Sequence, residues 1–246
     1  MQEASRPLAR TLKHLVPDPE VVLKRLACRY GFPRHGNPRD PFFCSVYVLL
    51  SAQTTLEQAT TAIREIRRRW STATALRGAA ASELHRVINS CGFGSQRTPK
   101  ILALAAVVST RTEPLSALRR LSDSELEAQL TALPGIGFKT ARVVAAMSSF
   151  ERDRFAIDTH IWRIAHRLGW TSRVRLDRKP TLHQADSLER RIPIASRRQL
   201  HSCLVALGRD CCGPKETDCG RCVLVEVCRR GRKQALSQQD NGSEWS

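Results

Sequence analysis

The sequence shows few features of a membrane or exported protein. No apolar run approaches the roughly eighteen residues that a membrane helix requires. The first residues, Met1 to Leu15, are basic but include Glu3, and they lack an apolar core with a small-residue cleavage site. No segment has a convincing strand pattern, and no repeat of about 20–50 residues is present. We therefore expect a cytoplasmic protein in which helices dominate.

Acidic residues are also scarce. The 246 residues include 40 Lys and Arg but only 23 Asp and Glu, which gives a formal net charge of +17. Such an excess favours a polyanionic partner, and nucleic acid is the first candidate. The chain is long enough to form one large domain or two smaller ones, each with its own core.

The chain is organised around residues 133–141, Leu-Pro-Gly-Ile-Gly-Phe-Lys-Thr-Ala. Gly135 and Gly137 flank one aliphatic residue, and this pattern predicts a tight turn with positive φ. Helices are expected before the turn, from Ser124 to Leu130, and after it from Lys139 onward. Free N–H groups at the start of the second helix form a site suited to a phosphate. The alternative is an ordinary turn between two helices with a solvated lysine.

Five of the nine cysteines lie between Cys211 and Cys228. In a reduced cytoplasm such a group indicates a metal site rather than disulfides. Zinc is one alternative, but zinc ribbons usually space two C-x2-C pairs farther apart, and a compact loop suits a cubane cluster. Cys211 fits no position and is expected to be a spare thiol. The ligands predicted from the spacing C-x6-C-x2-C-x5-C are Cys212, Cys219, Cys222 and Cys228.

The hairpin, the cysteine pattern and a third motif, Ala156-Ile-Asp-Thr-His160, together resemble the endonuclease III family of helix-hairpin-helix DNA repair glycosylases. The resemblance implies an all-α protein of two domains, with a [4Fe-4S] cluster on the four cysteines and an active site in the cleft between the domains. The implied domains are a central one at 34–151 and a cluster domain at 17–33 plus 152–229, with flexible tails at 1–16 and 230–246.

Lys139 and Asp158 are the catalytic residues that the resemblance implies. A neutral lysine amine can attack the anomeric sugar carbon, expel the damaged base and form a Schiff base, after which β-elimination breaks the strand. The positive end of a helix dipole favours the neutral amine. Asp158 would stabilise the cationic sugar and take part in proton transfer. It is also placed to cap a helix from Thr159 to Leu168, and the two roles are compatible.

The resemblance also implies which residues contact DNA. Turning a nucleotide out of the duplex leaves a gap, which family members fill with a glutamine and an apolar residue that correspond to Gln53 and Phe93. Phe93 could instead be a core residue beside a turn, and the next helix is expected to begin at Thr98 and Pro99. The other residues implied to contact DNA or to support Asp158 are Gly135, Gly137, Thr140, His160 and Arg163.

Three departures from the family pattern lie around the lesion pocket. One is an extra residue between Lys139 and Asp158 relative to the commonest spacing. Leu56 stands where an Asp is usual, and Gln96-Arg97-Thr98 replaces Ser-Lys-Ala. They affect the expected substrate range more than the reaction. The expected function is removal of oxidised pyrimidines such as thymine glycol from duplex DNA at the nucleoid, by a monomer with lyase activity at abasic sites. The alternatives are a mismatch or alkylated-base glycosylase, and a DNA-binding iron–sulfur protein with weak or lost catalysis.

Overall fold

The computed structural model describes residues 16–171 and 179–240, with side chains described as far as residue 234. These residues are all-α, as predicted, and their one extended pairing is an isolated bridge between Cys212 and Thr217. Residues 1–15 of the predicted N-terminal tail and residues 241–246 of the predicted C-terminal tail lie outside the described ranges. In the part of the chain that the structure describes, no helix is long and apolar enough to cross a membrane.

The helices of the described residues are connected by short loops and three 3-10 turns, at Asn89–Cys91, Leu115–Arg120 and Ile194–Ser196. In chain order they are α1 (Pro19–Tyr30), α2 (Pro41–Ser51), α3 (Leu56–Arg69), α4 (Ala73–Arg77), α5 (Ala81–Ile88), α6 (Gly94–Ser109), α7 (Asp123–Thr131), α8 (Phe138–Met147), α9 (Thr159–Leu168), α10 (Leu182–Arg191), α11 (Arg197–Asp210) and α12 (Arg229–Asp240).

The chain divides into two compact units. The central unit is Arg34–Ala156, and the terminal unit consists of the described residues up to Pro33 and from Ile157 onward. The units divide after Pro33 and after Ala156, whereas the resemblance implies divisions after residues 33 and 151. The hairpin and Lys139 therefore belong to the central unit, whereas Asp158 and the cysteines belong to the terminal unit.

The core of the central unit is built around α2. Asp40 accepts a hydrogen bond from Phe43 N at 2.9 Å and caps this helix, and Pro41 occupies its first position. Nearly every residue of α2 is buried, because α2 packs against both α3 and α8. The apolar run from Phe42 to Leu50 is therefore a buried helix, and it carries Gln53 just beyond its end.

The terminal unit packs α1 and α9 against α11. Trp170 Nε1 donates to Pro17 O at 2.7 Å, which ties the start of α1 to the end of α9. Polar composition predicts a flexible tail after Arg229, but residues 229–240 form α12. The helix begins against the cysteine loop, where Gly231 is buried and an added Cβ would lie 2.6 Å from Val225 O. The close contact with the cysteine loop supports α12, and amino-acid composition does not reveal a contact of this kind.

Candidate active site

The glycine turn joins α7 to α8. Ser122 and Glu125 form a capping box at the start of α7, and Ile136 N donates to Leu133 O at 3.1 Å to close the turn. Gly135 has a φ of +77°, as predicted. The prediction of positive φ is wrong for Gly137, whose φ is −90°. Gly137 is the N-cap of α8, and N-cap residues take extended backbone, so one left-handed residue is enough for the turn.

The N-terminus of α8 is open. Gly137 makes no side-chain cap, and an added Cβ at this exposed position would have nothing within 4 Å. The first N–H groups of a helix have no intrahelical acceptor, so those of this turn, which includes Thr140, face outward at the positive end of the dipole. The described geometry therefore suits an approaching phosphate oxygen.

Lys139 is the second residue of α8 and is partly buried. Within residues 16–171 and 179–240, no group pairs with its ammonium by a hydrogen bond or an ion pair. The side chain is thus held beside the open helix end by its backbone position and is not committed to a structural contact.

The orientation of α7 and α8 is fixed by charged residues that have no motif in the sequence. Arg142, whose side chain is 3% exposed, places Nε 3.1 Å from Glu127 Oε2. Arg154 also contacts this carboxylate, at 2.8 Å. The guanidinium of Arg142 also lies 5.9 Å from the centre of the ring of Phe138, which is the residue before Lys139. The pair therefore locks the helix that carries Lys139 against the helix before the turn.

Asp158 begins α9 in the terminal unit. Its Oδ1 accepts a hydrogen bond from Ile161 N at 2.8 Å, which confirms the predicted helix cap. A carboxylate in this position is oriented by the helix and stabilised by its dipole. Capping α9 uses Oδ1 of this carboxylate.

His160 and Arg163 lie on α9 and face inward. Arg163 is 8% exposed and donates to Cys212 O from Nη2 at 2.8 Å and from Nε at 3.0 Å. The same Nη2 lies 3.0 Å from His160 Nδ1. Burial lowers the pKa of His160, and Arg163 adds to this effect while Asp158 opposes it. The resemblance implies support of Asp158 or a phosphate contact, and the contacts of Arg163 lie within the terminal unit, beside the helix that Asp158 caps.

The four predicted ligand cysteines line one enclosed pocket in the terminal unit: Cys212, Cys219, Cys222 and Cys228. Cys211 and Arg167 line the same pocket, and Arg167 Nη1 donates to Cys212 Sγ at 2.9 Å. Such a donor suits an anionic sulfur. Burial raises the pKa of Cys222 to about 12, so this thiol is protonated near neutral pH in the metal-free protein.

Two kinds of metal site differ in how their ligands are arranged. Among the described residues, no three His, Cys, Asp or Glu side chains are placed to hold a single metal ion. Zinc requires ligands at about 2.0–2.3 Å from one point. A cubane is larger, and its four thiolates are spread over several iron atoms. The four cysteines share one pocket, and the described residues show no arrangement for a single metal ion.

Gln53 and Phe93 lie in two neighbouring loops of the central unit. Both are exposed, and both have left-handed backbone, with φ of 55° and 52°. Phe93 is 51% exposed and is therefore not a core residue. The prediction that α6 begins at Thr98 is wrong, because Gln96 N and Arg97 N both donate to Phe93 O at 3.0 Å and start the helix at Gly94.

Comparison with known proteins agrees with this arrangement. A model of the HhH-GPD superfamily of base excision DNA repair proteins matches residues 46–187. Endonuclease III of Thermotoga maritima is 28% identical over 213 residues, covering 87% of this chain and 94% of that protein. A solved endonuclease III in a non-covalent complex with DNA has a TM-score of 0.73 at 26% identity and covers 88% of this chain and 96% of that chain.

A second solved structure, a trapped covalent intermediate of endonuclease III with DNA, has a TM-score of 0.71 at 26% identity. It covers 89% of this chain and 99% of that chain. These matches confirm the resemblance to endonuclease III. The chain therefore belongs to the HhH-GPD superfamily of base excision DNA repair proteins, within which it is similar to endonuclease III.

Proposed function

We propose that the protein is a DNA glycosylase with lyase activity at abasic sites, and that Lys139 is its nucleophile. The observation that carries this proposal is the Lys139 amine in the first turn of α8, which has no partner among the described residues and lies beside an uncapped helix N-terminus. A lysine held in this way can form a covalent bond with a sugar carbon. The solved relative that was trapped covalently on DNA supports the same chemistry.

The proposed reaction uses three parts of the protein, namely the backbone of the hairpin, Lys139 and Asp158. The open N–H groups of the hairpin hold a DNA phosphate, and the neutral Lys139 amine attacks the anomeric carbon. The bond from that carbon to the base breaks, and the base leaves with the bonding electrons and gains a proton. The nitrogen then loses a proton, and its lone pair forms the C=N bond of the imine as the ring oxygen leaves the same carbon and is protonated. The imine acidifies the adjacent sugar carbon, so loss of a proton there is followed by departure of the 3′ phosphate. Asp158 stabilises the sugar while it carries positive charge.

Oxidised pyrimidines such as thymine glycol in duplex DNA are the proposed substrates. Similarity to endonuclease III supports this class. The exposed Phe93 and Gln53 provide an apolar and a polar group that can fill the gap left by an extruded nucleotide.

Borohydride trapping on DNA with a single abasic site tests the nucleophile. Lys139→Ala should reduce the trapped product to background, while abasic-site binding stays within about threefold, since one of many cationic contacts is lost. Lys24→Ala is the matched control, because Lys24 is an exposed lysine of α1. Undiminished trapping in Lys139→Ala would assign the covalent bond to another amine.

The pocket lined by Cys212, Cys219, Cys222 and Cys228 is proposed to hold a [4Fe-4S] cluster. When bound, such a group cross-links the cysteine loop and adds to the free energy of folding. Cys219→Ala should abolish the broad visible absorbance of the purified protein, deplete its iron and lower its melting temperature. Cys28→Ala, at an exposed thiol outside the pattern, should change none of these. Colourless parent protein with stoichiometric zinc would overturn this assignment.

A further inference from the structure

Arg97 occupies an unusual position in the central unit. It lies in the first turns of α6, but its side chain points back into the protein and the residue is only 7% exposed. Its Nη1 donates to Leu50 O at 2.7 Å and to Cys91 O at 3.0 Å. Its Nη2 donates to Ala52 O. One guanidinium thus binds the carbonyl groups of two loops that are far apart in sequence.

Those two loops carry Gln53 and Phe93. Leu50 and Ala52 flank the end of α2 just before Gln53, and Cys91 precedes Phe93 by two residues. Thr54 completes the connection, because its Oγ1 donates to Cys91 O at 2.8 Å and accepts from Arg97 Nη1 at 2.9 Å. The loops are therefore joined on both sides of Gln53.

The backbone in these loops requires such support. Left-handed φ is unfavourable for residues other than glycine and persists only where the surroundings enforce it. Gln53 and Phe93 both adopt it, and both side chains are directed to solvent. The Arg97 guanidinium also lies 5.6 Å from the centre of the Phe93 ring. The same buried cation thus contacts the backbone beside Gln53 and the ring of Phe93.

We propose that Arg97 is a positioning residue that holds Gln53 and Phe93 as one rigid pair for insertion into DNA. This inference rests on the proposed function for the role of the pair, and Arg97 itself touches no substrate. Rigidity matters because fixing the backbone of a residue costs conformational entropy. When the loops are already ordered in the free protein, DNA binding does not have to order them.

An arginine suits this position better than a lysine. The guanidinium has five N–H donors in a planar fork, so it can bind carbonyls on both loops at the same time. An ammonium is a point charge with three donors, and its stem cannot present them along one plane. Arg97, which departs from the usual family pattern, therefore joins the two loops through several acceptors at the same time.

Binding to two duplexes tests the inference, one with a stable abasic-site analogue and one undamaged. Arg97→Gln should weaken abasic-site binding by about tenfold or more, because the two loops must then lose conformational entropy when DNA binds. Arg97→Lys should be intermediate. Undamaged DNA should be bound within about twofold of the parent, since its phosphates are contacted elsewhere. Arg64→Gln, at an exposed arginine of α3, should change the affinity for both duplexes by the same factor. Equal weakening by Arg97→Gln would contradict positioning.

A second background separates positioning from general folding. In a Gln53→Ala and Phe93→Ala protein, adding Arg97→Gln should leave abasic-site affinity unchanged while still lowering the melting temperature. An additive loss of affinity would show that Arg97 acts in another way. Fluorescence of 2-aminopurine opposite the abasic analogue should report lost insertion in Arg97→Lys, so the test remains if Arg97→Gln does not fold. Binding requires no covalent step, so failure of the lyase proposal in borohydride trapping is a separate result.

Discussion

At the residue scale, four buried arginines of this protein have structural roles. Arg97, Arg142, Arg163 and Arg167 are each less than 9% exposed. Their acceptors are main-chain carbonyls, the carboxylate of Glu127 and the sulfur of Cys212. Truncating any of them would leave buried acceptors unpaired, which costs about 1–3 kcal/mol per group. A high arginine content therefore does not translate directly into DNA contacts.

His160 should make the stability of the terminal unit depend on pH. Burial holds its pKa below the ordinary value of 6.5. Below pH 6.5 the His160 imidazole is protonated in the unfolded chain but stays neutral in the folded protein. The free energy of unfolding therefore falls as pH decreases through 6.5 toward the folded-state pKa. His160→Gln keeps an acceptor for Arg163 but cannot titrate. The denaturant concentration at the midpoint of unfolding, measured at pH 8, 6.5 and 5, should fall more steeply with decreasing pH in the parent than in His160→Gln. Parallel curves for the two proteins would contradict this assignment.

At the element scale, local signals predicted the helices that they cap. Asp158 and Gly169 bound α9 at the predicted residues Thr159 and Leu168, and Asp18 caps α1. At α6 the pattern of Thr98 and Pro99 was misleading, because Phe93 starts that helix from a left-handed conformation with no capping side chain. Such a start is imposed by contacts to distant loops, which a local pattern does not contain.

The site could be predicted from sequence to a similar extent. Gly135, Lys139 and the four cysteines are recognisable because the spacing along the chain defines them. Arg97, Arg142 and Arg167 act through partners that are distant in sequence, on other elements. No spacing rule relates such pairs, so only the folded structure identifies them.

Gly137 separates a structural from a DNA-binding role for the hairpin. Its φ of −90° is accessible to any residue, and an added Cβ has nothing within 4 Å. Gly137→Val should therefore leave the melting temperature within about 3 °C of the parent. A branched side chain there blocks the approach of a phosphate to the α8 N–H groups, so abasic-site binding should weaken by about tenfold, as expected for losing hydrogen bonds to a charged group.

The control for this variant is Gly135→Val. Gly135 has a φ of +77°, where a β-branched residue is strained by about 1–3 kcal/mol, so this change should lower the melting temperature clearly. If Gly137→Val binds abasic-site DNA as the parent does, the hairpin is a turn without a phosphate contact.

At the scale of the whole molecule, the net charge of +17 is unevenly available for binding. Several surface arginines are matched by acids, as Arg68 is by Glu65 at 2.7 Å. Arg64 and Arg67 are different, because in the described residues no acidic side chain pairs with either. They line a groove between α3 and the loop at Gly36, and the Arg67 guanidinium lies 5.5 Å from the centre of the Phe43 ring. This groove is therefore a source of uncompensated positive charge.

The salt dependence of DNA binding should identify which of these charges contact phosphate. Each phosphate neutralised by a side chain contributes about −0.9 to the slope of log K against log salt. We expect Arg64→Gln with Arg67→Gln to reduce that slope by about 1–2. Arg68→Gln should change it less, since Glu65 already offsets that charge. Gly137→Val should displace the line in parallel, because backbone N–H groups release no side-chain counterion. An unchanged slope in the double variant would show that the α3 groove faces away from the DNA, and a reduced slope in Gly137→Val would show that the hairpin acts through charge rather than through its backbone.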